Sequence, residues 1–369
     1  MRRFLFNVHL WGGLIAGVLV VALGLSGTAL VFRPDLERMA TREWRTVQPV
    51  GQALPLERLV DSALAAVPGK VLARATLAND PAESVQVYLQ KPRARNLKDA
   101  ELIDVFVDPY RGSVLGVRAT NRGWLWWLQD FHYALFSGEP GLKVNGIAAI
   151  TLLGLASTGP ILWWPGWKRR RDAFRVRPRP AQAKWRDLHA LTGIVACLAL
   201  ALISLTAMYY AYRSTATAVV TLASGNAALP PPQAVVPADG SPALPLQAIV
   251  DAARAAVPAA RLDEFRASRG GSSPASVSFR LPDDAVFGRH RMFIDPYSAA
   301  VLRIDRFEEL GAGAQALANM APWHYGTFGG RLTQWLWFVA GLLPAFLFGS
   351  GLWLWLRKRR VSRSAAGSG

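Results

Sequence analysis

Four histidines carry the one pattern in this sequence with obvious chemistry. His9, His132, His189 and His324 are four of only five histidines in 369 residues, and each stands at or just before one end of a long apolar run. Imidazole is the commonest side-chain metal ligand, so matched imidazoles in matched surroundings point to a metal or metal-centred group. His9, in Asn7-Val8-His9-Leu10-Trp11-Gly12-Gly13, opens the first run, and His189, in Asp187-Leu188-His189-Ala190-Leu191-Thr192-Gly193, opens the third. His132, in Phe131-His132-Tyr133-Ala134-Leu135-Phe136, precedes the second run. His324, in Trp323-His324-Tyr325-Gly326-Thr327-Phe328, precedes the fourth. The fifth, His290 in Gly288-Arg289-His290-Arg291, has no counterpart, because Ile103 takes its place; it reads as a surface histidine.

The elements that must position these residues are membrane spans. Residues 4–32, 145–164, 189–212 and 332–356 are apolar. Each is long enough to cross about 30 Å of hydrocarbon at about 1.5 Å of rise per residue. The first is too long for a signal-peptide core and has no small-residue cleavage site before Arg33-Pro34, so it reads as a retained helix. Its Gly12, Gly13, Gly17, Gly24 and Gly27 imply close helix packing in a bundle.

The formal charge of +17 is concentrated beside the spans. Arg2 and Arg3 precede the first span. Lys168, Arg169, Arg170, Arg171, Arg175, Arg177, Arg179, Lys184 and Arg186 lie between the second and third, and Arg357, Lys358, Arg359, Arg360 and Arg363 follow the fourth. That placement fixes both termini and the middle loop on the cytoplasmic side and speaks against nucleic acid as the partner. Cys197 is the only cysteine, which excludes an intramolecular disulfide and the Cys-x-x-Cys-His attachment of a c-type haem.

Between spans the composition turns soluble. Residues 54–69 read as an amphipathic helix stopped by Pro68-Gly69; residues 84–89 and 102–107 alternate with period two, and Asp108-Pro109-Tyr110-Arg111-Gly112 turns the chain into a strand at 113–117. An aromatic segment with Trp124, Trp126, Trp127, Phe131, Tyr133 and Phe136 follows. The unit then returns. Phe293-Ile294-Asp295-Pro296-Tyr297 repeats Phe106-Val107-Asp108-Pro109-Tyr110, and Trp323-His324-Tyr325 repeats Phe131-His132-Tyr133, with a proline-rich linker up to Pro245 ahead of the second copy's soluble part. A repeat this long reads as domain duplication.

Two copies crossing in the same sense are parallel repeats, whose equivalent residues share a depth. His9 and His189 then fall near the cytoplasmic surface and His132 and His324 near the opposite one, which excludes a single four-histidine site. Two imidazoles at one depth supply the two axial ligands of a haem held between helices. Arg2, Arg3, Lys184 and Arg186 on one side, and Arg122, Lys143 and Arg331 on the other, are candidate partners for propionates.

The repeated unit of span, soluble module ending in Asp-Pro-Tyr, His-bearing aromatic segment and span resembles the PepSY-associated transmembrane family, including its iron-regulated, ferric-siderophore-reductase type, over nearly the whole chain. The resemblance implies a four-span α-helical bundle, a duplicated two-span unit, with two periplasmic α+β PepSY-like modules in the bacterial inner membrane. It implies two b-type haems ligated by His9, His189, His132 and His324, a ferric siderophore as acceptor, and a cytoplasmic electron donor. No Gly-x-Gly-x-x-Gly follows a strand and opens a helix, so no fused nicotinamide or flavin domain identifies that donor. The expected segments are a first span at 1–32, a module at 33–122, an interfacial helix with the second span at 123–167 and a basic loop at 168–186. The third span at 187–213, a linker with module at 214–318, an interfacial segment with the fourth span at 319–356 and a basic tail at 357–369 complete the chain. Two other readings stay open: a PepSY-based binding or regulatory protein without redox activity, and a siderophore permease, although the spans hold almost no charges of the kind that line transport paths.

Overall fold

A computed structural model describes residues 1–93, 101–168, 174–225, 230–284 and 290–366, the last six without their side chains. Arg169, Arg170, Arg171 and Asp172 of the basic loop lie outside the described residues. The helices are α1 (Arg2–Leu30), α2 (Arg33–Ala40), α3 (Arg42–Arg45), α4 (Leu56–Ala66), α5 (Trp124–Ala134), α6 (Glu139–Trp163), α7 (Ala181–Ala211), α8 (Arg213–Ser224), α9 (Leu246–Ala256), α10 (Ala312–Tyr325) and α11 (Gly330–Ala366). Strands β1 (Val71–Thr76), β2 (Val85–Gln90), β3 (Ile103–Val107) and β4 (Val114–Ala119) follow α4. Strands β5 (Arg261–Arg266), β6 (Ala275–Arg280), β7 (His290–Ile294) and β8 (Val301–Asp305) follow α9. The chain divides into two compact units, one of Met1–Arg33, Trp127–Leu222 and Ala316–Gly369, the other of Pro34–Trp126 and Ala223–Gln315.

In the first unit α1, α6, α7 and α11 are each long and apolar enough to cross a membrane. All four begin ahead of their apolar runs, so that His9 and His189 lie well inside helices. α6 packs on α1 and α7, and α11 packs on the same two, which leaves α1 and α7 diagonal to each other. Small residues permit this. A methyl group on Gly24 would stand 2.6 Å from the carbonyl oxygen of Gly341, and one on Gly341 would collide with Oγ1 of Thr28, so α1 and α11 meet nearly backbone to backbone.

The second unit is one antiparallel sheet in the order β4-β3-β2-β1-β5-β6-β7-β8. The expected pair of modules thus shares a sheet, joined where Ala75 of β1 faces Phe265 of β5 and Arg74 pairs with Glu264. The period-two pattern puts Val87, Leu89, Val105 and Val107 on the same core as Phe265, Val277, Phe279, Met292 and Ile294, covered by Leu59, Val60 and Ala63 of α4 and Ile249, Val250 and Ala253 of α9. The Asp-Pro-Tyr motifs build the β3–β4 and β7–β8 turns. Oδ1 of Asp108 accepts the N–H groups of Tyr110 and Arg111, and Oδ1 of Asp295 accepts those of Tyr297 and Ser298. The tyrosine hydroxyls then donate to the carbonyls of Pro81 and Gly271.

His290 is not a surface residue: it is 1 % exposed. Along β7, positions 290, 292 and 294 face the core together, so the period of the strand overrides the polar neighbours Arg289 and Arg291. Its Nδ1 accepts the N–H of Phe307 at 3.0 Å, which puts the ring proton on Nε2, where it donates to Asp284 at 2.8 Å.

Candidate histidine sites in the helical bundle

The four matched histidines come together as two pairs, both within the first unit. His9 of α1 and His189 of α7, from diagonal helices, have ring centroids 6.4 Å apart and ring planes at 82°. His132 of α5 and His324 of α10 have centroids 6.2 Å apart at 50°. A metal about 2 Å from one nitrogen of each ring sets those nitrogens about 4 Å apart, and the ring radii bring the centroids to about 6 Å. Each pair therefore has the span that one metal-centred group requires.

The pairs stand at different levels. Ser26, which contacts His132, follows His9 on α1 by 17 positions, and Thr206, which contacts His324, follows His189 on α7 by 17 positions. Seventeen helical residues rise about 25 Å.

Each ring is bonded through Nδ1 to a hydroxyl on another helix. His9 meets Oγ1 of Thr158 on α6 at 2.9 Å, His132 meets Oγ of Ser26 on α1 at 3.0 Å, His189 meets Oγ of Ser350 on α11 at 2.8 Å, and His324 meets Oγ1 of Thr206 on α7 at 2.9 Å. Among the described residues, no hydrogen bond falls on Nε2 of any of these four rings. These hydroxyls were not anticipated from the sequence. The available signal was a hydroxyl followed by a small residue, as in Ser26-Gly27, Thr158-Gly159, Thr206-Ala207 and Ser350-Gly351, repeated at the offsets of the histidines.

The short helices bearing His132 and His324 are held at their C-terminal ends. Nδ2 of Asn145 on α6 donates to the carbonyls of His132 at 2.8 Å and Tyr133 at 3.0 Å, satisfying groups the end of α5 would leave bare. Gly141 lies so close to the carbonyl of Ala134 that no larger residue fits. Past α10 the chain turns through Gly326 at φ +72°, against the indole of Trp337, and Oγ1 of Thr333 donates to the Gly326 carbonyl. Tyr210 of α7 flanks His324 with ring centroids 5.3 Å apart, and Tyr325 lies 5.8 Å from it. Leu30 holds the position on α1 that Tyr210 holds on α7, so the His132/His324 pair is flanked by tyrosine from one side.

Of the expected propionate partners, Arg186 pairs with Asp187, Arg331 donates to Gln334, and Arg2 and Lys143 bind helix ends. Arg2 donates to the carbonyl of Leu162 at 2.9 Å at the end of α6, and Lys143 donates to that of Ala211 at 3.0 Å at the end of α7. Both place a cation on the negative end of a helix.

Asp284, His290 and Glu308 bring ligand atoms within 4.8 Å of one another in the sheet unit. Both ring nitrogens of His290 are already committed, to Asp284 and to the Phe307 N–H, so this cluster has no free lone pair to offer from the ring.

Comparison with curated proteins finds no match. The family described as PepSY-associated TM region matches residues 6–358, which take in α6, α7, most of α1 and of α11, the strands β1 to β8 and all four paired histidines. The chain is a multi-pass membrane protein and belongs to the PepSY-associated TM family.

Proposed function

We propose that the chain is an inner-membrane electron carrier holding two b-type haems, one between His9 and His189 and one between His132 and His324, and that it delivers electrons to ferric siderophores in the periplasm. The observation that carries this reading is the pair of His–His separations, 6.4 and 6.2 Å, each from rings whose Nδ1 is bonded and whose Nε2, among the described residues, is not. A haem bound between two imidazoles supplies reversible one-electron transfer at the iron.

A duplicated two-span unit underlies the arrangement. His9 and Ser26 recur as His189 and Thr206 at one common offset, and His132 and Thr158 recur as His324 and Ser350 at another. Cations beside the ends of the spans argue for cytoplasmic termini and a cytoplasmic middle loop, which leaves the sheet unit periplasmic. On this orientation the His9/His189 pair faces the cytoplasmic donor and the His132/His324 pair faces the acceptor.

Trp127, Tyr133 and Tyr325, each substantially exposed on the helices of the His132/His324 pair, offer aromatic surface to a siderophore. Each electron delivered reduces one iron(III) to iron(II), which hard oxygen donors hold less tightly. The chain's own contribution is to fix the ligands, exclude water from the bundle and present the acceptor surface.

The test is stopped-flow reoxidation of chemically reduced protein by ferric siderophores, with an iron(II) chelator present. Reoxidation in step with iron(II) appearance, lost in His132→Ala/His324→Ala, is expected. Rapid reoxidation by quinone with none by several ferric siderophores would leave haem binding standing and remove the reductase function.

A further inference from the structure

We propose that Ser26, Thr158, Thr206 and Ser350 are positioning residues that fix the tautomer of the four histidines and set the redox potentials of the two centres, each acting on one level of the bundle. The inference rests on the haem reading above and adds to it what governs the ligands.

Each hydroxyl carries one proton and directs it at the carbonyls three and four residues back on its own helix. Ser26 gives it to Ala22 at 2.9 Å, Thr158 to Gly154 at 2.7 Å, Thr206 to Leu202 at 2.9 Å and Ser350 to Phe346 at 2.8 Å. With that proton spent, the oxygen can only accept at its histidine contact, so the ring nitrogen there must carry the hydrogen. All four rings are thereby held as the Nδ1–H tautomer, with the lone pair on Nε2. That is the form an axial ligand needs, and the partner at Nδ1 fixes which nitrogen binds.

Helix-bonded serines and threonines are common in apolar helices for packing reasons alone. Ser204 is such a case: it is buried, donates to Leu200 and is hydrogen-bonded to none of these rings. The four histidine-bonded hydroxyls differ in being followed by Gly27, Gly159, Ala207 and Gly351. A methyl group on Gly27 or Gly351 would stand 2.8 or 3.4 Å from Cε1 of the ring bonded next door, so the helix surface is cut back where the imidazole lies against it.

The partner's chemistry sets the direction of the effect. A hydroxyl polarises Nδ1–H and makes Nε2 a better donor, which favours the oxidised, more positive iron; a carboxylate would do so more strongly. Removing the hydroxyl removes this stabilisation, and the midpoint potential of that centre rises.

The experiment is a spectroscopic redox titration of purified protein, with low-spin EPR of the oxidised form. Ser26→Ala with Thr206→Val is expected to raise the potential and shift the g values of one haem, and Thr158→Val with Ser350→Ala those of the other. Ser26→Thr with Thr206→Ser is expected to restore the wild-type values. Should a double variant fail to accumulate, the isosteric single variants Thr206→Val and Thr158→Val carry the same readout. Two haems whose potentials and g values ignore all these substitutions would overturn the inference and leave the haem reading intact. A wild-type protein that takes up no haem would overturn the reading first and the inference with it.

Discussion

A methyl group added to Gly27 of α1 would stand 2.8 Å from Cε1 of His132, closer than side chains tolerate. The imidazole lies in a notch one residue beyond the hydroxyl that bonds it. Gly27→Val should therefore displace His132 and halve the haem content, sparing the His9/His189 centre. Haem absorbance per chain measures this, and an unchanged value would show that the notch does not position the ring.

Asn145 closes the end of α5 by donating to two carbonyls. Leaving one buried polar group without its partner costs about 1–3 kcal/mol. Asn145→Leu should lower the thermal stability of the purified protein by that order and loosen haem held at His132. A variant with wild-type melting and haem retention would show that water or another donor replaces the amide without loss.

Asp295 gives a pH dependence with a definite sign. Burial opposes its ionisation, but the N–H groups of Val235, Tyr297 and Ser298 more than offset this and hold its carboxyl below the ordinary value. A depressed folded-state pKa contributes stability that is complete above about pH 4 and is lost as pH falls through the folded value. Hydrogen exchange of the β7–β8 turn, taken relative to the intrinsic rate at each pH, should accelerate below about pH 4 in the wild type. In Asp295→Asn it should be faster at neutral pH and flatter across that window.

Much of the fold is legible because long apolar runs and period-two alternation are strong local signals. The four spans and the strands at 84–89, 102–107 and 113–117 follow from them; the strand ends agree closely, while α6, α7 and α11 run on past the apolar bounds by about one to three turns because polar residues continue a helix outside the hydrocarbon. The join of β1 to β5 does not, because no local pattern says which sheet edges meet; the reciprocal residues Arg74 and Glu264 acquire meaning only once paired. His290 misled because Arg289 and Arg291 made its surroundings look solvated, while its register with Met292 and Ile294 pointed inward. The histidines stood out through rarity and repetition. Their hydroxyl partners did not, because the mark that separates Ser26 from the merely helix-bonded Ser204, a small following residue repeated at the offset of the histidines, gains meaning only once a ring is seen to lie against it.

The central claim is that each histidine pair holds one haem, and pyridine haemochrome analysis against protein concentration tests it most directly. Protein expressed with ample haem should contain two haems per chain, falling to one in His9→Ala/His189→Ala, to one in His132→Ala/His324→Ala, and to none when all four are replaced. A wild-type ratio near zero, or haem content that survives loss of all four histidines, would contradict the account.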